Sequence, residues 1–371
     1  MEGGKMRFSV MKETVLEELQ LLQGIVEKRT TMPILQNILV SASGAKVEMV
    51  GTDLEVGLRT TFEAQVEEEG ALTVSGKKIF EIVRSLADGE KVVFKQKGGQ
   101  QMEVTCGESE FKINVLPKDD YPQVPEPKFA KKILFSLEAY KEMIDLVSYA
   151  IAQEQRYYLN GALFNIKSTS LELVSTDGHR LAYTSTPVDK LKLEKPLSVI
   201  VAKKTLTEIR KTDDQEVEFD LDENNLFFKT KNRILISRII ESKFPNYDAV
   251  IPKDNPHFLT VDREPFTQAI RRVSLLSTER SKGVKFFVEK GQLRLFSSNP
   301  EIGEARDKLS VEYKGPDLEV GFNSQYLLEF LTAIHSEKVR FELKDENSAA
   351  LLKPEPESGI RCLYVLMPMK I

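Results

Sequence analysis

The chain has 371 residues, 41% of them hydrophobic and 29% charged, with a formal net charge of −5. That length exceeds one ordinary core and points to two or three domains, with the apolar and charged balance of a globular protein. No apolar run approaches the roughly 18–20 residues a membrane span needs, Met1-Glu2-Gly3-Gly4-Lys5-Met6 carries no secretory h-region, and the mild acidity argues against a protein that grips nucleic acid over its whole surface.

Taken in order, the elements recur. Arg7-Phe8-Ser9-Val10 is extended and leads into a helical pattern with apolar residues at Val15, Leu19, Leu22 and Val26. Lys46 to Asp53 alternates as a strand and ends in a Thr-Asp turn. Leu72-Thr73-Val74 leads into a short amphipathic helix carrying Ile79, Ile82 and Val83, and Phe111 to Pro122 reads as a strand ending in Tyr-Pro. The same four features return with Leu134 to Leu137 and the helix of Tyr140, Met143, Ile144, Val147 and Ile151; with Ser170 to Asp177; with Val199-Ile200-Val201 before Leu206 and Ile209; and with Ile234 to Pro245. A third set starts at Phe258 to Val261, where Asp262 and Pro265 supply helix-start chemistry before Phe266, Ala269, Ile270, Val273 and Leu276. It continues through Gln292 to Asn299 and through Leu318-Glu319-Val320 before Leu327, Leu328, Phe330 and Leu331, and ends at Tyr364 to Ile371.

Four features in one order, three times, define an internal repeat. Proline-rich stretches at Pro122 to Pro127 and Ile251 to Pro256 separate the copies. The expected architecture is α+β, with three domains at 1–131, 132–257 and 258–371, each with two helices and a majority of strand. Their formal charges are −4, −1 and 0. Acid clusters at Glu67-Glu68-Glu69 and Asp213-Asp214, while base recurs around the helices, including Lys77, Lys78, Arg84, Lys203, Lys204, Arg271 and Arg272. Recurrence at equivalent places suggests one continuous basic face built from helices. Cys106 and Cys362 are far apart, which argues against a disulfide framework or a zinc site and for a reducing compartment.

Ser175-Thr176-Asp177-Gly178-His179-Arg180 concentrates the groups of a catalytic turn, and a hydrolase using Ser175, Asp177 and His179 is the alternative reading. Residues two apart in a strand or tight turn cannot form the Ser–His–Asp chain in order, and no G-x-S-x-G elbow is present. With His179, His257 and His335 alone, no H-E-x-x-H pair exists. Gly70 to Lys78 departs from a P-loop in spacing and puts Lys78 where a Ser or Thr would hold magnesium. The expectation is a protein that is not an enzyme and needs neither cofactor nor metal.

Arg156-Tyr157-Tyr158-Leu159-Asn160-Gly161, Thr176-Asp177-Gly178-His179-Arg180-Leu181-Ala182 and Tyr364-Val365-Leu366-Met367-Pro368-Met369 resemble the bacterial DNA polymerase III beta subunit family, the sliding clamps. Arg29 to Leu35 and Gly51 to Glu55 resemble it too, and Met6-Arg7-Phe8 is similar to its usual start, so that Met1 to Lys5 reads as an extension. The resemblance spans the chain and implies a head-to-tail dimeric ring of three-domain subunits with antiparallel sheets, encircling duplex DNA in the cytoplasm at the nucleoid. Lys and Arg facing phosphates would hold DNA without reading its sequence. The DNA-contacting positions it implies are Arg29, Lys77, Gln153, Tyr157 and Tyr158, with Arg84, Lys203 and Lys204 as further candidates. The implied dimer contact is Phe111 against Leu275 and Leu276. A hydrophobic pocket for partner peptides would comprise Leu159, Thr176, Gly178, His179, Arg180, Leu181, Pro245, Val250, Val365, Met367, Pro368 and Met369. The partners implied are the replicative DNA polymerase, the clamp loader, translesion polymerases and mismatch-repair proteins. Ala249 and Lys370 stand where family members carry arginine, which bears on peptide preference at the rim.

Overall fold

A computed structural model of the chain describes residues 6–26, 31–129, 132–153, 157–191, 193, 195–357 and 359–371. The first copy of the repeat reads β1 (Arg7–Met11), α1 (Lys12–Ile25), β2 (Asn37–Ser43), β3 (Lys46–Thr52), β4 (Val56–Glu63), β5 (Gln65–Glu68), β6 (Gly70–Ser75), α2 (Gly76–Ser85), β7 (Lys91–Lys97), β8 (Gln101–Cys106) and β9 (Ser109–Leu116). The middle copy reads β10 (Ile133–Ser136), α3 (Leu137–Val147), β11 (Gly161–Ile166), β12 (Ser170–Thr176), β13 (Arg180–Pro187), β14 (Leu197–Ala202), α4 (Lys203–Arg210), β15 (Glu216–Leu221), β16 (Asn225–Lys229) and β17 (Arg233–Arg238). The third reads β18 (His257–Asp262), α5 (Arg263–Ser274), β19 (Gly283–Glu289), β20 (Gln292–Asn299), β21 (Gly303–Ser310), β22 (Leu318–Asn323), α6 (Ser324–Ala333), β23 (Lys338–Leu343), β24 (Ala350–Glu355) and β25 (Arg361–Leu366). Apart from the extra β5, the order is the same each time.

Two sequence expectations need adjustment. The strands expected over Phe111 to Pro122 and Ile234 to Pro245 stop at Leu116 and Arg238. Pro117 and Pro122 lack the N–H a ladder needs, and the aromatic before each final proline serves another purpose. The Tyr121 hydroxyl donates to the carbonyls of Val50 at 3.1 Å and Asn37 at 3.3 Å, while Phe244 is buried in an apolar cluster. Asp262 does occupy the N-cap of α5, but its side chain makes no capping bond. Capping side chains are seen at Ser75 of α2, which accepts from the Lys78 N–H, and at Asn323 of α6, which accepts from the Gln325 and Tyr326 N–H groups.

The elements gather into two compact units that divide the middle copy between them: residues up to Glu138 with Lys204–Ile239, and Ala139–Lys203 with Ile240–Ile371. The first unit carries a 13-stranded sheet in the order β10-β15-β16-β17-β4-β3-β2-β6-β9-β8-β7-β1-β5. Helices α1 and α2 pack together and bury Val15, Leu19, Leu22, Ile79 and Val83. Strands of two copies meet where β17 pairs with β4, Leu235 opposite Leu58. There Arg233 donates to both oxygens of Glu18, at 2.9 and 2.6 Å, and also pairs with Glu17. Arg233 and Glu18 are both buried, and Thr60 donates a further bond to Glu18.

The second unit carries an eight-stranded sheet, β14-β11-β12-β13-β25-β24-β23-β18, and a four-stranded one, β21-β20-β19-β22. Helices cover one face of the eight-stranded sheet: Tyr140 of α3 meets Phe164 at 4.9 Å, and Phe330 of α6 stacks on Tyr364 at 4.7 Å. Phe266 of α5 joins Phe286, Phe322 and Phe341 in an aromatic core.

A buried ion pair that loses one partner leaves an uncompensated charge. Arg233→Met should destabilise the first unit by about 3–5 kcal/mol, measured by chemical denaturation with a reporter placed in that unit. A change below about 1 kcal/mol would show that the pair acts like an exposed one.

Candidate functional site

The Thr176 to Leu181 turn joins β12 to β13, and its polar side chains are spent on the turn itself. The Thr176 hydroxyl donates to the Arg180 carbonyl at 2.6 Å and accepts from the Gly178 N–H at 3.1 Å. Asp177 accepts from the N–H groups of His179 and Arg180 at 3.0 and 3.1 Å. The Ser175 hydroxyl is fully buried and donates to the Val147 carbonyl at 2.5 Å. Thr52 and Asp53 hold the β3–β4 turn by the same pattern of bonds. Gly178 has φ +91°, a left-handed conformation open to glycine at little cost.

Arg180, expected in the pocket, has its guanidinium engaged elsewhere. It pairs with Asp177 at 3.0 Å and with Glu329 of α6, donates to the Tyr149 carbonyl at 2.5 Å, and lies 4.1 Å from the centre of the Tyr326 ring. It is buried, and fixes the start of β13 against the helical side.

The other face of the eight-stranded sheet holds the apolar cluster. Register places Ile200, Leu163, Val174, Tyr183 and Leu363 in one row across five strands, and Leu181, Val365 and Leu351 in the next. Leu159, Ile240 and Phe244 complete the buried set, with Tyr158, Tyr247, Ile251 and Ala349 packed against it half-buried. Thus Leu159, Leu181 and Val365 come together. Pro245 and Val250 lie exposed on the Ile240 to Ile251 strap, and Gly178 and His179 are exposed on the turn. Met367 is exposed, with its N–H bonded to the His179 carbonyl at 3.0 Å. Pro368 and Met369 are half-buried on the same tail, and the Met369 N–H bonds the Gly321 carbonyl at 2.9 Å. A Cβ on Gly321 would stand 2.4 Å from the Met369 carbonyl, so glycine permits that approach.

Sequence reasoning missed Tyr183, Ile240, Phe244, Tyr247, Leu351 and Leu363. Period-two alternation in β13 and β25 could have placed Tyr183 beside Leu181 and Leu363 beside Val365; the strap has no periodicity to read.

Of the candidate DNA-contacting residues, Lys77 and Arg84 lie seven positions apart and exposed on α2. Lys204 is engaged within its own unit, by Asp53 and the Ile25 carbonyl. Gln153 is exposed, while Tyr158 and Lys203 are half-buried. Arg29 and the Tyr157 side chain lie outside the described residues. Phe111 is half-buried on β9, Leu275 is 78% exposed at the end of α5, and Leu276 is half-buried.

Three consecutive stretches match models of the DNA polymerase III beta subunit: its N-terminal domain over residues 6–125, its central domain over 135–246 and its C-terminal domain over 248–370. The beta sliding clamp of Pseudomonas putida is 36% identical over 374 residues, covering 99% of this chain and 100% of the relative. That of Escherichia coli K12 is 33% identical over 371 residues with the same coverage. A crystal structure of the Pseudomonas aeruginosa clamp bound to griselimycin matches with a TM-score of 0.92 at 34% identity, covering 99% of this chain and 100% of that one. The fold is that of three DNA-clamp domains, mixed helix and antiparallel sheet. The chain belongs to the DNA polymerase III beta subunit family, the beta sliding clamps. Its function is that of a DNA sliding clamp.

Cys362 lies on β25 and is 1% exposed. Burial, reinforced by Glu357 and Glu142, pushes its thiol up to about 12. The thiolate is the reactive form, so iodoacetamide at pH 8 should leave native Cys362 unmodified and label it once the protein is denatured. Native labelling at the rate of a free thiol, followed by peptide mass spectrometry, would contradict this burial.

Proposed function

We propose that the chain is a non-catalytic processivity factor whose domains span 1–131, 132–257 and 258–371. Two copies close head to tail into a ring around duplex DNA, in the cytoplasm at the nucleoid. The observation that carries this reading is the threefold element order, matched from end to end by clamp-domain models. A polymerase tethered by an encircling ring stays on DNA without base contacts that would resist movement. Arg29, Lys77, Arg84, Gln153, Tyr157, Tyr158, Lys203 and Lys204 are the positions assigned to the DNA side; for Lys204 this requires leaving Asp53.

Unpaired strand edges support ring closure. In β9 the ladder to β6 involves Val115 and Leu116 alone, and among the described residues the Ser109 to Ile113 stretch pairs on one side, with β8. β21 is the edge of the four-stranded sheet. Such edges pair with other chains unless protected. A first-domain edge carrying Phe111 would meet a partner's third-domain edge beside Leu275 and Leu276, and a second copy of the contact would close the dimer.

The apolar cluster at the β13–β25 joint is assigned to docking. Leu159, Leu181 and Val365 are assigned to its floor, and Thr176, Gly178, His179, Pro245, Val250, Met367, Pro368 and Met369 to its walls and rim; Arg180, with its guanidinium turned to the helical side, would contribute through its backbone alone. Its occupants would be apolar peptide segments of the replicative polymerase, the clamp loader, translesion polymerases and mismatch-repair proteins. Methionines adapt to varied side chains. Griselimycin, bound by the P. aeruginosa relative, is a further ligand to test here.

Loaded by a clamp loader and ATP, the protein should remain on nicked circular DNA and be lost when the circle is cut. Equal loss from circular and linear DNA would refute encirclement. Leu275→Lys should shift the sedimenting species from dimer to monomer; an unchanged dimer would place the interface elsewhere. Met367→Ala with Met369→Ala should weaken partner-peptide binding while leaving the dimer intact. Dissociation of the dimer instead would mean the pocket is misplaced.

A further inference from the structure

The strap from Ile240 to Ile251 covers the apolar cluster, and its regular structure is one 3-10 turn, Tyr247–Ala249. We infer that Glu172 and Asn165 hold this strap through the Tyr247 hydroxyl, making the three positioning residues that fix the pocket wall carrying Pro245 and Val250. The inference rests on the docking role proposed above, since it concerns the shape of that pocket.

One register step from the apolar row, the same sheet face carries a polar row. Ser198 on β14, Asn165 on β11, Glu172 on β12 and Ser185 on β13 are successive cross-strand partners. The Ser198 hydroxyl donates to Asn165 Oδ1 at 2.6 Å, Asn165 Nδ2 donates to Glu172 Oε2 at 3.3 Å, and Lys167 Nζ donates to Glu172 Oε1 at 2.5 Å. Asn165 and Glu172 are buried. Into this row reaches the Tyr247 hydroxyl, accepting from Asn165 at 3.2 Å and donating to Glu172 at 3.3 Å. Burial and then the Glu172 charge raise the phenol well above its ordinary range, so it remains a donor.

The ring itself stacks on Tyr183 of the apolar row, 6.1 Å between centroids and 27° between planes. Tyr247 is therefore fixed at two points, by its ring on the apolar row and by its hydroxyl on the polar one. The N–H groups of Val250 and Ile251 both bond the Tyr247 carbonyl, at 3.0 and 3.3 Å. Where Tyr247 sits consequently decides where exposed Val250 sits. A wall already in its binding position spares the peptide the cost of ordering it.

Tyr247→Phe removes the hydroxyl, keeps the ring, and leaves Asn165 and Glu172 bonded to each other, Ser198 and Lys167. Binding of a fluorescein-labelled peptide with Leu and Phe anchors would be measured by anisotropy, alongside peptide-resolved hydrogen exchange and thermal unfolding. One hydrogen bond corresponds to a loss of about 3–10-fold in affinity. Tyr247→Phe should show that loss, with faster exchange confined to the segment around Tyr247 to Ile251 and an unchanged melting temperature; Glu172→Ala, which also strips Asn165 and Lys167 of their acceptor, should lose at least as much affinity and melt lower. Glu172→Gln, which keeps an acceptor, should bind within about twofold of wild type. Met367→Ala serves as the pocket control. Weak binding by Met367→Ala with wild-type affinity in Tyr247→Phe overturns the positioning role alone. Unchanged binding by Met367→Ala overturns the docking role itself. Losses that follow melting temperature without local exchange, or that Glu172→Gln shares in full, also overturn the positioning role.

Discussion

The hydrogen bonds between β13 and β25 are the constraint on which the second unit depends. They join strands from different copies of the repeat into one sheet, and the pleat then sends alternate residues to opposite faces. Tyr364 and Ala182 go to the helices, whereas Leu181, Tyr183, Leu363 and Val365 go to the other side. Among the described residues no α-helix packs on that side, and the irregular strap of Ile240 to Ile251 lies over it instead. The proposed docking site is thus a product of joining two copies.

The corresponding joint in the first unit shows why joining alone is insufficient. Aligning the two Thr-Asp turns puts Gly57 where Leu181 stands and Arg59 where Tyr183 stands. Arg59 pairs with Glu126 at 3.1 Å and lies 3.8 Å from Glu48. One joint therefore presents a salt-bridged face and the other an apolar one, on nearly the same backbone pairing. Buried charge serves each joint differently as well. Arg233 and Glu18 lock strand to helix in the first unit, while Arg180, held by Asp177 and Glu329, sets the entry to β13 in the second. The two arginines sit in different places of the repeat, so each joint is held by its own set of contacts.

The sequence made the repeat legible because apolar spacing of 3.6 and 2 residues is a local property: the six α-helices of the described residues appear where Val15, Ile79, Tyr140, Leu206, Phe266 and Leu327 mark them. The turn at Thr176 was legible through its copy at Thr52. Strand ends were less so, because Tyr121 and Phe244 continue an apolar pattern while leaving the ladder to fill cavities. Arg180 was placed near the right turn, but its side-chain direction depends on Glu329, distant in sequence. Tyr247, Glu172 and Asn165 could not be grouped at all. Their meeting requires the register of β11 with β12 and the return of a strap whose residues show no period.

The paired turns carry one more consequence. Leu54, third in the first-copy turn, has φ +76°, where the middle copy has glycine. A side chain in that left-handed conformation costs roughly 1–2 kcal/mol, yet both turns keep the same bonds from Thr and Asp. The frame is therefore robust enough to absorb a misfit residue at its most demanding position. Once duplicated, such a turn could exchange residues at its tip without losing its shape. The middle copy carries a sterically open Gly-His corner on this frame, and the first copy carries a bulky leucine at the same place.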